Sequence, residues 1–279
     1  MSIPVFYNYG DLQKDITKKL LKEFNLNAAL SANITYKILP SPNFEISNVI
    51  LSTDSDKKFN EFAQIKKLKI YVSIQKLHSQ KELEIKKIIF LGANLNINKN
   101  SFYYLNDFFR KKSSSKKIVI KKSKIFFRES ADKNDAMAIS SIQKSKIFYD
   151  EKGNSNKIII DGSIFNTQYN LNFLRSIANK NLTNFKINFK QLNVKINNEF
   201  LKSSEKSINS EGIVSINFLG SENTINYEIS DEFILFSSDE TSISDQRIFL
   251  NGKVNTSPFY YNIYVDLDSM NIIKFIRNF

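Results

Sequence analysis

Apolar side chains recur at every second position over most of this chain, from Ala28 to Leu267, and that period admits little besides β-strands with one face turned to a core. Ala28, Leu30, Ala32, Ile34, Tyr36 and Ile38 form the first run, and Phe44, Ile46 and Ile50 resume it beyond a pair of prolines. Pro40 and Pro42 lack the N–H that a strand ladder needs, so "YKILPSPNFEISNVILS" reads as a hairpin whose turn holds the prolines. A third strand places Leu68, Ile70, Val72 and Ile74 on one face. A fourth carries Leu83, Ile85, Ile89, Leu91, Leu95 and Ile97. Runs of this length predict curved strands or bulges, and Gly92 is the bulge candidate.

One early stretch has a different period. In "GDLQKDITKKLLKEFN", Leu12, Ile16, Leu20 and Phe24 stand four apart. Asp11 and Asp15 lie near the N-terminal end and Lys18, Lys19 and Lys22 near the C-terminal end, as a helix dipole favours. A helix over 11–24 is expected. "SFYYLNDFFRK" breaks the alternation and reads as a short helix or an aromatic loop, and "KKSSSKK" at 111–117 as a linker or a solvated turn. Strands resume in "KIVIKKSKIFFRES" and "KSKIFYDEKGNSNKIIIDGSIFN", the second with hairpin-turn chemistry at 151–156 around Gly153. Further alternating runs cover 169–173, 185–196, 213–218, 225–229, 233–236, 248–254 and 259–267. With only 7 glycines for sharp corners, a compact Greek-key barrel is disfavoured. The expected fold is mainly β: an N-terminal amphipathic helix, then a long, twisted antiparallel β-sheet forming an open groove or an elongated half-barrel.

Reactive chemistry finds few candidates. The chain has no cysteine and a single histidine, His78, which removes disulfides, thiolate ligands, cysteine nucleophiles and a multi-histidine metal site. His78 lies in "QKLHSQKE", a polar turn between strands, where a solvated surface role is the ordinary one. Phosphate-binding glycine loops and dinucleotide fingerprints are absent. Asp54 and Asp56 resemble the start of a calcium loop, but Lys57 and Lys58 occupy ligand and glycine positions of that template. Asp266 and Asp268 share a strand face as an acid–base pair would; because Val265 and Leu267 alternate with them, a solvated outer face accounts for both. No catalytic residue, cofactor or metal is expected.

The formal charge of +12 permits nucleic acid, an anionic membrane surface or an acidic partner. The lysines are spread along the chain among many Asn, Ile and Ser residues, as a compositional bias would spread them. Lys121, Lys122 and Lys124 beside Phe126 and Phe127 combine charge with aromatics as single-strand binders do, but the same stretch reads as a strand with a lysine-rich solvent face that guards an edge. Nucleic acid is not the expected partner. A transmembrane barrel is disfavoured by the absence of tryptophan and by Arg277 in the closing "KFIRNF". No window approaches the roughly 18 apolar residues of a membrane-spanning helix.

The order of features is more informative than any one motif. "FYNYG", the helix "DLQKDITKKLLKEFNL", "ALSANITYKILPSPNFEISNVILS", "FAQIKKLKIYVSI" and "LEIKKIIFLGANLNI" together resemble the N-terminal region of the AsmA family over residues 5 to 100. "IIIDGSIFNTQYNLNF" and "IFLNGKVNTSPFYYNIYVDL" look like that family's looser β-repeats. The resemblance implies a periplasmic protein of the Gram-negative envelope, held in the inner membrane by an N-terminal helix and linked to outer-membrane biogenesis. Its apolar β-groove would carry phospholipid by the acyl chains. On that reading residues 1–10 are the remnant of an anchor or interfacial segment, since the expected membrane helix is absent and Met1 falls where its outer end should be. Residues 11–110 are the family's helix and first strands, and 111–279 are further hairpins continuous with the same sheet. The inward-facing candidates for lipid contact are Ala28, Leu30, Ala32, Ile34, Ile70, Val72, Ile74, Ile85, Ile89 and Leu91. Inward strand residues ordinarily fill a closed core, and that reading stands beside the groove for each of them. Other expected partners are outer-membrane or envelope proteins; a scaffold without lipid transport is the alternative function, and a basic nucleic-acid-binding β-domain the lower alternative.

Overall fold

A computed structural model describes residues 9–31, 33–53, 60–73, 75–76, 83–98, 105, 109, 111–128, 135–179, 182–202, 210–218, 221–230, 232–238, 241–243, 246–256 and 258–267. The segment 1–8, Ala32, the Asp54–Asp56 pair, Ile74, His78, Asp268 and Arg277 lie outside these residues, as does most of "SFYYLNDFFRK". The chain forms two compact units, 1–166 and 167–279.

The first unit opens with helix α1, Tyr9–Phe24. Its apolar stripe is fully used: Leu12, Ile16, Leu20 and Phe24 are 0–3% exposed. The strands are β1 (Asn27–Ala29), β2 (Ile34–Lys37), β3 (Asn43–Thr53), β4 (Asn60–Val72), β5 (Ile85–Ile97), β6 (Lys117–Phe127), β7 (Ala138–Asp150) and β8 (Ser155–Ile164). β1 and β2 both pair with β3, and the ladder then runs β3–β4–β5–β6–β7–β8. The expected antiparallel order fails once: β5 and β6 are parallel, a pairing that needs a crossover longer than a hairpin turn, and the connection between Ile97 and Lys117 is long enough for one. The 111–117 segment is no free linker. Asn156 Nδ2 donates to the carbonyls of Phe109 and Lys111, and its Oδ1 accepts from the Ser113 N–H at 3.0 Å, tying the crossover to β8.

The alternation hides a coherent defect. The registers skip Asn48 on β3, Lys66 on β4, Gly92 on β5, Lys122 on β6 and Gln143 on β7, and these positions line up strand by strand. Asn48, Gly92 and Lys122 take left-handed φ values of 53°, 65° and 50°. The break between β1 and β2 falls on the same line, where Ser31 Oγ donates to the Ser47 carbonyl. A bulge adds one residue to a strand, so inward positions on either side of the row are three apart instead of two. Val49 and Leu51, not Ile50, therefore continue the inward face of Phe44 and Ile46. A separate shift at the start of β5 pairs Val72 with Ile85 but Tyr71 with Lys87. Ile85 and Ile88 consequently face inward, whereas Ile89 and Leu91 pair with Lys69 and Lys67 on the opposite face, which corrects the expectation that Ile85, Ile89 and Leu91 share a side.

That opposite face is basic. It carries Lys37 on β2, Lys67 and Lys69 on β4, Lys87 on β5, Lys117, Lys121 and Lys124 on β6, Lys144 and Lys146 on β7 and Lys157 on β8. Its carboxylates are Glu45, Glu61, Asp150 and Asp161. Ile89 and Val119 lie on it yet are only 8% and 7% exposed, consistent with cover from lysine stems.

The second unit comprises β9 (Thr167–Ser176), β10 (Leu182–Phe189), β11 (Val194–Lys202), β12 (Ser210–Phe218), β13 (Ser221–Ile229), β14 (Phe233–Ser237), β15 (Thr241–Ile243), β16 (Gln246–Thr256) and β17 (Phe259–Leu267). They form an antiparallel meander in which β14 and β15 share the edge of β16. The run expected at 185–196 is two strands, divided by a 3-10 turn at Lys190–Leu192 and by Asn193 in the left-handed region. The strands belong to one long, mainly antiparallel sheet, and no pairing among the described residues returns the last strand of either unit to its first, so the sheet is open.

Candidate functional site

The registers of the second unit place apolar residues from successive strands side by side. Phe173 pairs with Phe185, Leu171 with Ile187, Ile187 with Ile196 and Ile196 with Ile216. Val214 pairs with Ile225, Tyr227 with Phe236, Ile234 with Val254 and Val254 with Tyr261. One face is therefore apolar from β9 to β17. Gly212 and Gly252 lie on it opposite Tyr227 and Phe236, and a Cβ at either position would collide with the facing ring, so the two glycines are slots in which aromatic rings lie against the sheet.

Burial separates this face from the interior of the first unit. Phe44, Ile46, Val49, Ile65, Leu68, Ile70 and Ile88 are 0–1% exposed. Among the described residues, none of the second unit's hydrophobic side chains is buried; those on the apolar face of β9 to β16 are half-exposed. On β17 exposure rises further, with Phe259 at 63% and Tyr261 at 61%. The cause is the element list: α1 supplies an apolar stripe in the first unit, and no helix longer than the 3-10 turn is described in the second. Within the first unit itself the same trend begins, since Ile147, Ile158, Ile160 and Ile164, towards β8, are half-exposed.

A few polar groups interrupt the apolar face. Arg175 pairs with Thr183 and both are buried. The Tyr227 hydroxyl donates to Asn198 Oδ1 at 2.7 Å, and burial pushes the Tyr227 phenol above its ordinary pKa, partly countered by that bond. In the first unit, burial likewise raises Tyr36, whose hydroxyl has no hydrogen-bond partner. On the basic face, Glu45 receives Lys67 at 2.7 Å, Lys37 at 3.1 Å and Lys69 at 3.2 Å. Partial burial alone would raise this carboxyl, but the three lysines outweigh it and hold the pKa at about 2. Asp150 is lowered by its hydrogen bond from Lys157.

The candidates chosen from sequence fall mostly in the closed interior. Ala28, Ile34, Ile70, Val72 and Ile85 are buried there; Ile89 is buried under the basic face; Leu30 and Leu91 are half-exposed. Ala32 and Ile74 lie outside the described residues. The uncovered apolar residues are those of the second unit's face, and the sequence carries a signal for them: its strands alternate apolar and polar, and among the described residues no helix longer than the 3-10 turn accompanies them. Asp266 is exposed on the polar side of β17. Among the described residues no three His, Cys, Asp or Glu side chains gather as metal ligands, and no helix is long and apolar enough to cross a membrane. Comparison with protein-family models, curated proteins and solved structures finds no match.

Proposed function

We propose that this chain is an AsmA-like lipid-handling protein that acts without catalysis, with acyl chains of phospholipid lying on the apolar face of the second unit as the wall of an open groove. The observation that carries this reading is the continuous apolar face from β9 to β17, half-exposed where the corresponding face of the first unit is dry. An acyl chain gains about 0.8 kcal/mol for each methylene it buries, so such a face holds lipid without specific polar chemistry. α1 gives the first unit a stable core, and the second unit has no comparable helix among its described residues. On this reading the protein works in the periplasm, anchored at the inner membrane, in outer-membrane biogenesis.

The test is lipid extraction and mass spectrometry of purified protein, with Ile187→Asp and Ile216→Asp as variants. Co-purified phospholipid that disappears in variants with unchanged circular dichroism supports the proposal. Lipid-free wild-type protein that also fails to accept a fluorescent phospholipid overturns it. A scaffold role is the second reading, and β17 favours it: Tyr260, Tyr261, Ile263 and Tyr264 are all exposed on an edge strand, a surface suited to pairing with another chain.

A further inference from the structure

The geometry points to the basic face of the first unit as a docking surface for an anionic lipid bilayer. Lysines from six strands, β2 and β4 to β8, project from one side of this sheet and outnumber the carboxylates there. Composition alone does not account for this segregation. The polar side of the second unit has Lys186, Lys195, Arg247 and Lys253 balanced against Glu199, Glu211, Glu222, Glu228 and Asp266. The row of skipped positions adds to the charge, because Lys66 and Lys122, both exposed, stand next to Lys67 and Lys121. Lys66, Lys121, Lys122 and Lys124 form no ion pair among the described residues.

A bilayer fits this face better than a nucleic acid strand does. From β4 to β8 the lysines extend over four strand spacings, about 19 Å, which is a field rather than a track for one backbone. Three aromatic rings of this face that could stack a base are engaged by cations: Lys87 lies over Tyr71 at 4.4 Å, Lys117 over Phe148 at 5.6 Å and Arg128 over Phe126 at 5.5 Å. The cations on this face are lysines apart from Arg128, whose guanidinium is held by Asn96 Oδ1 at 3.2 Å and lies over Phe126; lysines are point charges that suit a diffuse anionic surface, whereas bidentate phosphate recognition favours arginine. The polar contact is thus separate from the acyl-chain face proposed above and does not depend on it.

The experiment is sedimentation of the full chain with phosphatidylcholine vesicles, with and without phosphatidylglycerol, at rising salt. Wild-type protein should bind only the anionic vesicles and be released by salt. The quadruple variant Lys121→Gln, Lys124→Gln, Lys144→Gln, Lys146→Gln should weaken binding by several hundredfold, since each lysine near such a surface is worth about a fivefold gain. The same four positions changed to Arg should bind as wild type, which separates lost charge from lost fold, and thermal melting checks both variants. Equal binding to neutral vesicles, or anionic binding unchanged in the glutamine variant, overturns the proposal. So does tighter binding to a single-stranded oligonucleotide that the same variant abolishes. Loss of co-purified lipid with vesicle binding retained would instead fault the acyl-chain reading alone.

Discussion

The two units are built from the same material, long alternating strands in a ladder that is antiparallel except between β5 and β6, and differ in what lies against the apolar side. In the first, α1 adds Leu12, Ile16, Leu20 and Phe24 to the inward residues of β2 to β5, and side chains on both layers become inaccessible. In the second, pairs such as Ile187 and Ile196 touch sideways within the sheet but keep one side open. An apolar face is thus a core or a binding surface according to whether a second layer covers it, and the strands alone do not decide.

The sharpest way to break this contrast is a matched pair of truncations. Ile16→Ala should cost about 3 kcal/mol, because it leaves a cavity in a dry interior, while Ile187→Ala should cost about 1 kcal/mol. Chemical denaturation of the two variants checks this, and equal losses would mean the second face is covered. Next in size is Gly92→Val, expected to cost about 2 kcal/mol. Its φ of 65° is unfavourable for a β-branched residue, and the new Cβ would stand 3.3 Å from Lys66 Cβ.

Glu45 offers a test by pH. Its folded pKa of about 2 lies below the ordinary value of 4.5, so the stability it supplies is complete above pH 4.5 and is lost as the pH falls towards 2. The lysines are partly exposed, so solvent screening reduces the contribution to about 1 kcal/mol. Melting temperatures should fall between pH 5 and pH 2, and Glu45→Gln should flatten that part of the profile. The smallest effects come from two tyrosines. Tyr227→Phe should cost about 1 kcal/mol by orphaning the buried Asn198 oxygen, whereas Tyr36→Phe should be neutral or slightly stabilising, since that hydroxyl has no partner to lose. Urea melts of both variants compare them directly.

Much of the strand order was legible because burial on one face imposes a period of two on the residues themselves. The helix was legible for the same reason, through Leu12, Ile16, Leu20 and Phe24. Failures cluster where the backbone departs from that period without announcing it in composition. Asn48 and Lys122 look like ordinary strand residues, and only the skipped registers reveal them as bulges. The parallel pairing of β5 with β6 left no mark, since both strands are apolar on the inward side in either direction. That most of the lipid-facing candidates lie in a covered interior was hidden for a different reason: alternation identifies which residues face inward, but whether that side is capped depends on elements elsewhere in the chain.

The row of bulges from Asn48 to Gln143 behaves like a dislocation line in a crystal. On its two sides the pleats are the same lattice with opposite phase, and the strands match only because all of them slip by one residue at the same place. Removing one residue there from a single strand would not straighten the sheet. It would leave that strand half a period out of step with both neighbours along half its length, lysines inward and isoleucines outward. The five positions are therefore one unit of inheritance in the fold, to be kept together or lost together.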